Sequence, residues 1–422
     1  MKNIDIPEQG LPVENCRFCG ARISHVVADL GKMPPANNYL TPEQSREPEI
    51  SYPLTVLRCT ECHLVQVGYL VPPSHLFKDY AYFSSYSHSW VEHARKFAVS
   101  ATQRFDLTTD DLVLEVGCND GYLLQHFRDM GVGVMGVDPA TTVADIAIKK
   151  GIPTRVAFFG DEEARQLVED GRQADLVIGN NVFAHVPDIN GFTEGLRLVL
   201  KPDGVVSLEF PHLLRLLQQC QFDTIYHEHY SYYSFLAIEN ILGAHGLRVF
   251  EVEELKSHGG SIRVSACHID SKRFEEQPGV RKVRALESEA GLDRPEIYDE
   301  FASRLPVIRA SFNEFVDQVM SSQKHIVGYS APAKGNTFLN FCGIGSESID
   351  FVADLNPAKQ NHFLPGSRIP IRTPEDLFEA KPEYVLILAW NLRKEISKQL
   401  SRVAVWGGQF VVGIPFINVF MS

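Results

Sequence analysis

Two histidines, two acidic residues and several tyrosines crowd one short segment, the stretch DTIYHEHYSYYSF over residues 223–235. Side chains of these types can transfer protons, hold a metal ion or line a polar strand. Histidine titrates near neutral pH, so these histidines are candidate bases, and the neighbouring Glu228 could orient one of them or take the proton itself. Metal ligation by His227 and His229 is the alternative, although no third ligand follows at a recognisable spacing. The rest of the chain has to decide between these uses.

Cysteines suggest a metal site elsewhere in the chain. Four of the eight cysteines form two Cys-x-x-Cys pairs, Cys16 with Cys19 and Cys59 with Cys62. Each such turn can direct two thiolates at one ion, and two turns complete the tetrahedral ligand set of a structural zinc. A catalytic dithiol is the alternative, which the two matched pairs disfavour. We therefore predict one structural Zn²⁺ that staples a small N-terminal module and says little about the chemistry.

The elements that could position a reacting group begin at residue 112. Short apolar runs, LVLEV, VGVMGV, ADLVIG and VSLEF, alternate with helical sequence, which indicates a parallel sheet. The first run leads into E-x-G-x-x-x-G with Glu115, Gly117 and Gly121, and the second ends at Asp138. Glycines at a strand's carboxyl end let a ligand approach the backbone, and the following acid is placed for a ribose diol. The pattern differs from the dinucleotide fingerprint G-x-G-x-x-G, and a turn without a ligand is the alternative.

A second sheet is predicted after a charged helical stretch that ends near residue 323. The run HIVGYSAPAKGNTFLNF opens a new strand–loop–helix unit, and SIDFVADL, YVLILAW and GQFVVGIP follow as strands. The loop over 328–337 offers backbone N–H groups, Lys334 and a helix N-terminus, which suit phosphate. It lacks the Walker A spacing, and we expect that no aspartate follows at the position that corresponds to Asp138. The unit has either lost a cofactor or positions a phosphorylated substrate, and Lys334 favours the second use.

The glycine motif and Asp138 resemble motifs I and II of class I S-adenosylmethionine methyltransferases. The three parts in this order resemble the nucleotide-sugar C-methyltransferases, which typically methylate C3 of dTDP-4-keto-6-deoxyhexoses. The resemblance covers nearly the whole chain through DYAYFSSYS, NNVFAHVPD, TIYHEHYSYYS, HGGSIRV, APAKGNT and PAKQN. It implies an α/β fold with a zinc-binding module over 1–75, a Rossmann-like methyltransferase domain over 76–270, and a helical linker with a second Rossmann-like, sugar-nucleotide-binding domain over 271–422.

The resemblance also implies roles for particular residues. It assigns catalysis to His229, Glu228, Tyr226, His185 and Tyr82. It assigns the binding of S-adenosylmethionine to Glu115, Gly117, Asn119, Asp120, Gly121, Asp138 and Asn181. From the sequence itself, Phe158 or Phe159 could flank the adenine, with burial in the core as the alternative for an aromatic side chain. It assigns the binding of the sugar nucleotide to Tyr80, Lys334, Asn336 and Lys359.

The implied reaction explains why bases would cluster beside the cofactor. Carbon is a poor nucleophile, so a base must remove the proton next to a ketone, and the enolate oxygen then needs a donor. His229 with Glu228 would supply the base, while Tyr226 and His185 would supply donors. O- or N-methylation of a sugar nucleotide is one alternative, and it leaves the enolate donors unexplained. A methyltransferase fold that only binds its ligand is the other, and the intact motifs argue against it.

Composition limits the remaining classes. The chain has 422 residues, of which 44% are hydrophobic and 22% charged, and its net charge is −13. An acidic chain with no basic cluster is a poor nucleic-acid binder, and no apolar run approaches the roughly 20 residues that span a bilayer. Because no signal peptide is apparent, we expect a cytoplasmic protein whose cysteines are thiols or metal ligands. We further expect a monomer.

Overall fold

The structure, a computed structural model, describes residues 6–76 and 83–421. Tyr80 and Tyr82 lie outside the described residues, so their assigned roles stay predictions. Within the described ranges, no helix combines the length and apolar character that a membrane span requires.

Strands and helices follow one another in three groups along the chain. The first group is β1 (Leu11–Pro12), β2 (His25–Met33), β3 (Tyr52–Arg58), β4 (Val65–Val67), β5 (Tyr69–Leu70) and α1 (Pro73–Leu76). The second is α2 (His88–Arg104), β6 (Leu112–Val116), α3 (Leu124–Asp129), β7 (Gly133–Val137), α4 (Thr141–Lys149), β8 (Thr154–Arg155), α5 (Asp161–Glu169), β9 (Ala174–Asn180), α6 (Ile189–Val199), β10 (Leu200–Pro211), α7 (Leu213–Gln218), β11 (Ser231–Tyr232), α8 (Phe235–Ala244), β12 (Leu247–Leu255) and β13 (Ser261–His268). The third is α9 (Pro278–Ala290), α10 (Glu296–Ser321), β14 (Ile326–Tyr329), α11 (Ala333–Cys342), β15 (Val352–Ala353), β16 (Ile371–Arg372), α12 (Pro374–Ala380), β17 (Tyr384–Ile387), α13 (Arg393–Gln399), β18 (Gln409–Val412) and β19 (Asn418–Phe420).

The middle sheet has seven strands in the order β12-β13-β10-β9-β6-β7-β8. Strands β6 to β10 are mutually parallel, and β13 and β12 extend the sheet in antiparallel register. Its central strands are apolar runs because helices cover both faces. The carboxyl ends of β6 and β7 bring the glycine loop and Asp138 to one edge, as the sequence predicts.

The C-terminal sheet repeats this arrangement, with the order β16-β15-β14-β17-β18-β19 and only β19 antiparallel. In both sheets the first strand is central, the second and third lie on one side, and the fourth and fifth on the other. The expectation that no aspartate follows in this half is wrong. Asp354 comes directly after β15, where its Oδ2 accepts from Ala331 N (2.6 Å) and its Oδ1 from Asn356 N (2.7 Å).

The N-terminal sheet is completed by a strand from the middle of the chain. Its order is β11-β4-β3-β2, and β11 pairs with β4 through Ser231 opposite Gln66 and Tyr232 opposite Val65. The buried and partly exposed residues of β3 alternate, which is the pattern of a strand covered on one face. The segment that carries His229 therefore leads directly into the sheet of the zinc-binding module.

Apolar packing joins the three groups. One buried cluster combines side chains of β2, β3 and β4 with α7, α10 and one face of the C-terminal sheet. Helix α10 contributes residues spaced three or four apart, so that one stripe faces this cluster. A second cluster runs from the cysteines across one face of the middle sheet. These shared clusters hold the segment that carries His229 between all three sheets.

Candidate active site

The four cysteines converge on one point. Their sulfur atoms all lie within 4.8 Å of one another, and the Cys16–Cys62 and Cys19–Cys59 pairs are each 3.5 Å apart. A tetrahedral zinc with Zn–S bonds of about 2.3 Å requires sulfur separations of this order. The four thiolates fit a structural Zn²⁺, as the spacing predicts. Among the described residues, this is the one cluster of three or more close metal-ligating side chains.

The loop after β6 forms the predicted ligand-binding edge. Gly117 and Gly121 have φ values of +69° and +76°, which ordinary side chains rarely adopt, and a Cβ on Gly117 would lie 2.9 Å from Val182. Asp138 fixes the loop, because its Oδ2 accepts from Asn119 N and its Oδ1 from Ala140 N, each at 2.9 Å. The backbone is thus shaped for a ligand that lies directly against it.

Buried polar groups at this edge fit the predicted cofactor. Glu115 is fully buried, neither of its carboxylate oxygens has a hydrogen-bond partner among the described residues, and burial raises its pKa well above the ordinary value. An unpaired buried carboxyl suits the cationic ammonium of S-adenosylmethionine. The side-chain oxygen and nitrogen of Asn181 are likewise buried without partners in the described ranges. Asp120 is instead paired with Lys150 at 3.3 Å.

The aromatic residues after β8 have different surroundings. Phe158 is 64% exposed next to Ala157, whose N–H donates to Asp138 O at 3.3 Å. Phe159 packs against Phe192, with ring centroids 5.4 Å apart. Of the two phenylalanines, only Phe158 is therefore free to cover an adenine ring near Asp138.

Two hydrogen bonds fix which ring nitrogen of His229 carries the proton. Its Nδ1 lies 2.8 Å from Thr224 O, a carbonyl that can only accept, so Nδ1 carries the proton. Its Nε2 then has the lone pair and accepts from the Tyr226 hydroxyl at 2.7 Å. Burial, with neighbouring His185, holds the pKa of His229 well below its ordinary value, so the ring is neutral at neutral pH. The site thus contains an uncharged nitrogen base of defined tautomer.

His185 lies against this base. The two histidine rings are 4.8 Å apart in an edge-to-face arrangement, and His185 Nδ1 donates to Glu228 O at 2.7 Å. Burial lowers the pKa of His185 to about 4. The structure therefore brings two neutral imidazoles together in one enclosed space.

Glu228 is held by the zinc-binding module. Its side chain is buried, and its Oε1 accepts from both the backbone N–H (3.3 Å) and the Nδ2 (3.1 Å) of Asn37. Its Oε2 has no partner among the described residues, and burial raises its pKa to about 7. The zinc-binding module therefore supplies a residue that contacts this acid, which the cysteine spacing did not indicate.

His227 faces away from the other catalytic candidates. Its Nε2 lies 3.3 Å from Tyr52 O, and its ring packs edge-on against Tyr52. Burial lowers its pKa to about 4. This orientation removes the alternative in which His227 and His229 share a metal.

Lys334 reaches the same interior from the C-terminal sheet. Its Nζ donates to Asn391 Oδ1 at 3.1 Å and lies 5.2 Å from the Trp390 ring centre. Trp390 Nε1 donates to Asp223 Oδ2 at 2.7 Å, and burial raises the pKa of Asp223 to about 6. Burial also lowers the pKa of Lys334, and its positive charge contributes to the low pKa of His229. Lys334 is therefore close enough to His229 for its charge to act on the imidazole.

The two other proposed substrate residues tie the C-terminal loop to the zinc module. Asn336 Nδ2 donates to Ala36 O at 2.6 Å, and Lys359 Nζ donates to Ala331 O at 2.8 Å. The Tyr39 hydroxyl donates to the same Ala331 carbonyl at 2.6 Å. In the structure these side chains shape the loop around Asp354.

Sequence reasoning missed His258 as well as Asn37. His258 has φ +53°, its buried Nε2 has no partner in the described ranges, and its ring packs edge-on against Trp90 at 5.1 Å. Burial and the charge of Lys334 lower its pKa to about 4. His258 belongs to the motif HGGSIRV, but the motif did not indicate a role for it. In the structure its strained backbone and unpaired ring nitrogen are features typical of functional sites.

Comparisons with known proteins agree with this architecture. Family models match as a zinc binding domain over 16–77, a "Methyltransferase domain" over 90–252 and a "C-methyltransferase C-terminal domain" over 256–415. The seven-stranded sheet with its glycine loop and Asp138 defines an S-adenosylmethionine-dependent methyltransferase.

Similar proteins identify the family within the methyltransferases. C-methyltransferase NovU from Streptomyces niveus is 39% identical over 404 residues, which are 96% of each chain. The chain therefore belongs to the C-methyltransferase family, as the sequence predicts. Ubiquinone biosynthesis O-methyltransferase from Bartonella tribocorum is 30% identical over 95 residues, 22% of this chain and 38% of that protein. The solved PH0226 protein from Pyrococcus horikoshii OT3 has a TM-score of 0.37 at 16% identity, and covers 46% of this chain and 97% of its own.

Proposed function

We propose that the protein transfers a methyl group from S-adenosylmethionine to C3 of an NDP-4-keto-6-deoxysugar, dTDP-linked in our assignment, during branched-deoxysugar biosynthesis. Membership of the C-methyltransferase family supports carbon as the acceptor. The motif resemblance supports the sugar nucleotide as the substrate class. The cofactor supplies the electrophilic methyl group, so the chain's own residues have to create and hold the carbon nucleophile.

The observation that carries the proposal is the neutral, single tautomer of His229. Its Nδ1–H is anchored on Thr224 O, which directs the Nε2 lone pair towards the Tyr226 hydroxyl. A C–H next to a ketone is acidic enough for such a base, whereas an unactivated C–H is not. In our proposal Nε2 removes the C3 proton, and the Tyr226 hydroxyl turns from Nε2 to donate a hydrogen bond to the oxygen at C4 as charge develops there. His185 does not supply the donor that the resemblance implies, because its ring is neutral and its one N–H already donates to Glu228 O.

Glu228 is the second proton acceptor in the cluster. Its pKa of about 7 keeps both protonation states accessible near neutral pH. Asn37 holds one oxygen, and the other is left for the substrate or for a proton. We propose that Glu228 acts together with His229, either by polarising the site or by receiving the proton.

Lys334 supports a position for the sugar nucleotide between the middle and C-terminal sheets. It is a cation enclosed near His229, and an anionic substrate would compensate its desolvation. We propose that Lys334 binds the diphosphate or the adjoining sugar oxygens. Asn336 and Lys359 would act by holding the loop, and the roles of Tyr80 and Tyr82 remain part of the proposal.

Hydrogen exchange tests this chemistry directly. The protein is incubated in D₂O with S-adenosylmethionine and a 4-keto-6-deoxysugar nucleotide, and the product is examined by mass spectrometry and NMR. We expect loss of the C3 hydrogen, a new methyl on C3, and inertness of the matching 4-hydroxy sugar. His229→Asn should slow exchange and transfer by about 10²–10⁴-fold. His227→Asn is the matched control, because that ring faces Tyr52, and it should retain most activity.

Each alternative gives a different product. Methylation on oxygen or nitrogen with the C3 hydrogen retained would refute carbon methylation of this substrate. A methyl on C5, the other carbon beside the ketone, would refute C3 while keeping the enolate. An active His229→Asn together with an inactive His227→Asn would reverse the assignment of the base.

A further inference from the structure

Arg17 connects the zinc knuckle to both catalytic histidines. It lies between the ligands Cys16 and Cys19, is only 8% exposed, and extends its guanidinium towards the middle sheet. Zinc coordination by four thiolates does not itself require a long buried cation at this position. Its partners indicate what it does.

The guanidinium donates to the chain on the C-terminal side of each histidine. Nη1 donates to Val186 O (3.1 Å) and Pro187 O (2.8 Å), immediately after His185. Nη2 donates to Tyr230 O and to Ser231 Oγ (2.5 Å), immediately after His229. One planar group thus spans two segments that are distant in sequence and whose rings lie 4.8 Å apart.

The main chain of Arg17 is itself connected to the metal site. Its backbone N–H donates to Gln66 Oε1 at 3.1 Å, and Gln66 Nε2 lies 3.2 Å from Cys16 Sγ. Gln66 is on β4, opposite Ser231 on β11. The pairing of β4 with β11 and the guanidinium of Arg17 therefore hold the same segment around Ser231. Both are connected to the cysteine cluster through Gln66.

We propose that Arg17 is a positioning residue that sets the His185–His229 geometry from the zinc knuckle. The zinc ligands on either side of Arg17 hold its main chain in place. Its guanidinium then holds the two histidine-bearing segments through four acceptors. A lysine at this position has a single point donor and cannot satisfy both segments at once. The inference rests on the proposed roles of His185 and His229.

A pair of conservative variants tests the inference. Arg17→Lys is compared with Arg58→Lys, since Arg58 is also buried in the zinc module and adjoins the ligand Cys59. Arg58 donates to His63 Nδ1 (2.8 Å) and to Asp293 O, away from the catalytic histidines. Both variants of the full chain are assayed for zinc content, kcat, S-adenosylmethionine affinity and the ¹⁵N shifts of labelled histidine rings, assigned with His185→Asn and His229→Asn.

We expect Arg17→Lys to keep one zinc and wild-type cofactor affinity while kcat falls by about 10–100-fold, because small misplacement of a catalytic group has effects of this size. The ring signals of His185 and His229 should lose their single Nδ1–H tautomer. Arg58→Lys should change neither kcat nor the tautomers. Unchanged kcat and tautomers in Arg17→Lys would overturn the inference, as would a loss of activity fully explained by lost zinc. If His229→Asn is fully active, the proposed function fails instead.

Discussion

Replacing Glu228 with glutamine tests whether burial has raised the pKa of this acid. The side chain is 1% exposed, and its carboxyl pKa is raised by burial from 4.5 to about 7. Glutamine keeps the shape and keeps an oxygen that can accept from Asn37. The change therefore removes the ionisation while leaving most contacts in place.

The size of the effect follows from linkage. A carboxyl that titrates near 4.5 when unfolded and near 7 when folded makes the folded state less stable by roughly 3 kcal/mol once it is ionised. Because the folded pKa is the higher one, this stability is fully present below pH 4.5 and is lost as the pH rises to about 7. Glu228→Gln lacks this loss, so its stability relative to the wild type should increase by roughly 3 kcal/mol over the full titration. Roughly 2 kcal/mol of that increase should fall between about pH 5.5 and pH 8.5. The buried amide adds a penalty of about 1–3 kcal/mol that does not depend on pH.

The measurement is urea unfolding of both proteins in parallel between about pH 5.5 and pH 8.5. Zinc loss affects both proteins alike and cancels in the difference. Glu254→Gln is the control: hydrogen bonds and ion pairs with Lys282 and Arg215 hold the pKa of Glu254 below its ordinary value. The stability from Glu254 is present above its unfolded pKa and is lost only as the pH falls through its folded pKa. Its difference from the wild type should therefore be flat in the tested range.

Activity gives a second result from the same variant. Exchange of the C3 proton by the wild type should rise with pH through about 7 if ionised Glu228 assists His229. Glu228→Gln should lower the rate by about 10²–10⁴-fold and abolish this rise. A stability difference that does not change with pH would refute the raised pKa. An unchanged pH–rate profile in Glu228→Gln would refute the catalytic role.

Three further predictions address the other sites. Asp138→Asn should weaken S-adenosylmethionine binding by about 1–3 kcal/mol in calorimetry, and unchanged affinity would show that this strand end is not part of the cofactor site. Lys334→Met should raise the KM for the sugar nucleotide without changing cofactor affinity; an unaltered KM would place the substrate elsewhere. Cys16→Ser should lower zinc from one ion per chain and reduce soluble yield, and full zinc retention in elemental analysis would contradict the four-thiolate site.

Features that depend on local sequence could be predicted before the structure was known. The cysteine pairs and the glycine loop are encoded by short spacings, and Asp138 is encoded by its place at a strand end. Asp354 has the same kind of place, in the predicted strand segment SIDFVADL, and was missed because the preceding loop lacks the E-x-G-x-x-x-G pattern that accompanies Asp138. Its hydrogen bonds to Ala331 and Asn356 follow the arrangement at Asp138.

Contacts between distant segments could not be predicted in this way. Asn37 belongs to no motif, and its contact with Glu228 joins residues 191 positions apart. The pairing of Asp223 with Trp390 likewise depends on how the C-terminal sheet packs on the middle one. Hydrophobic periodicity assigns elements, but it does not determine which loop meets which across three sheets.

The path of the chain gives these distant contacts a common cause. The segment that carries His229 leaves the middle sheet after β10 and enters the N-terminal sheet as β11. Asn37 then reaches Glu228 from one side of that sheet, and Lys334 approaches from the C-terminal side. Enclosure by three sheets desolvates the bases, which keeps His229 neutral and raises the pKa of Glu228. A middle domain expressed alone would expose both groups to water, so we expect their pKa values to return towards the ordinary ones and the poised base pair to be lost.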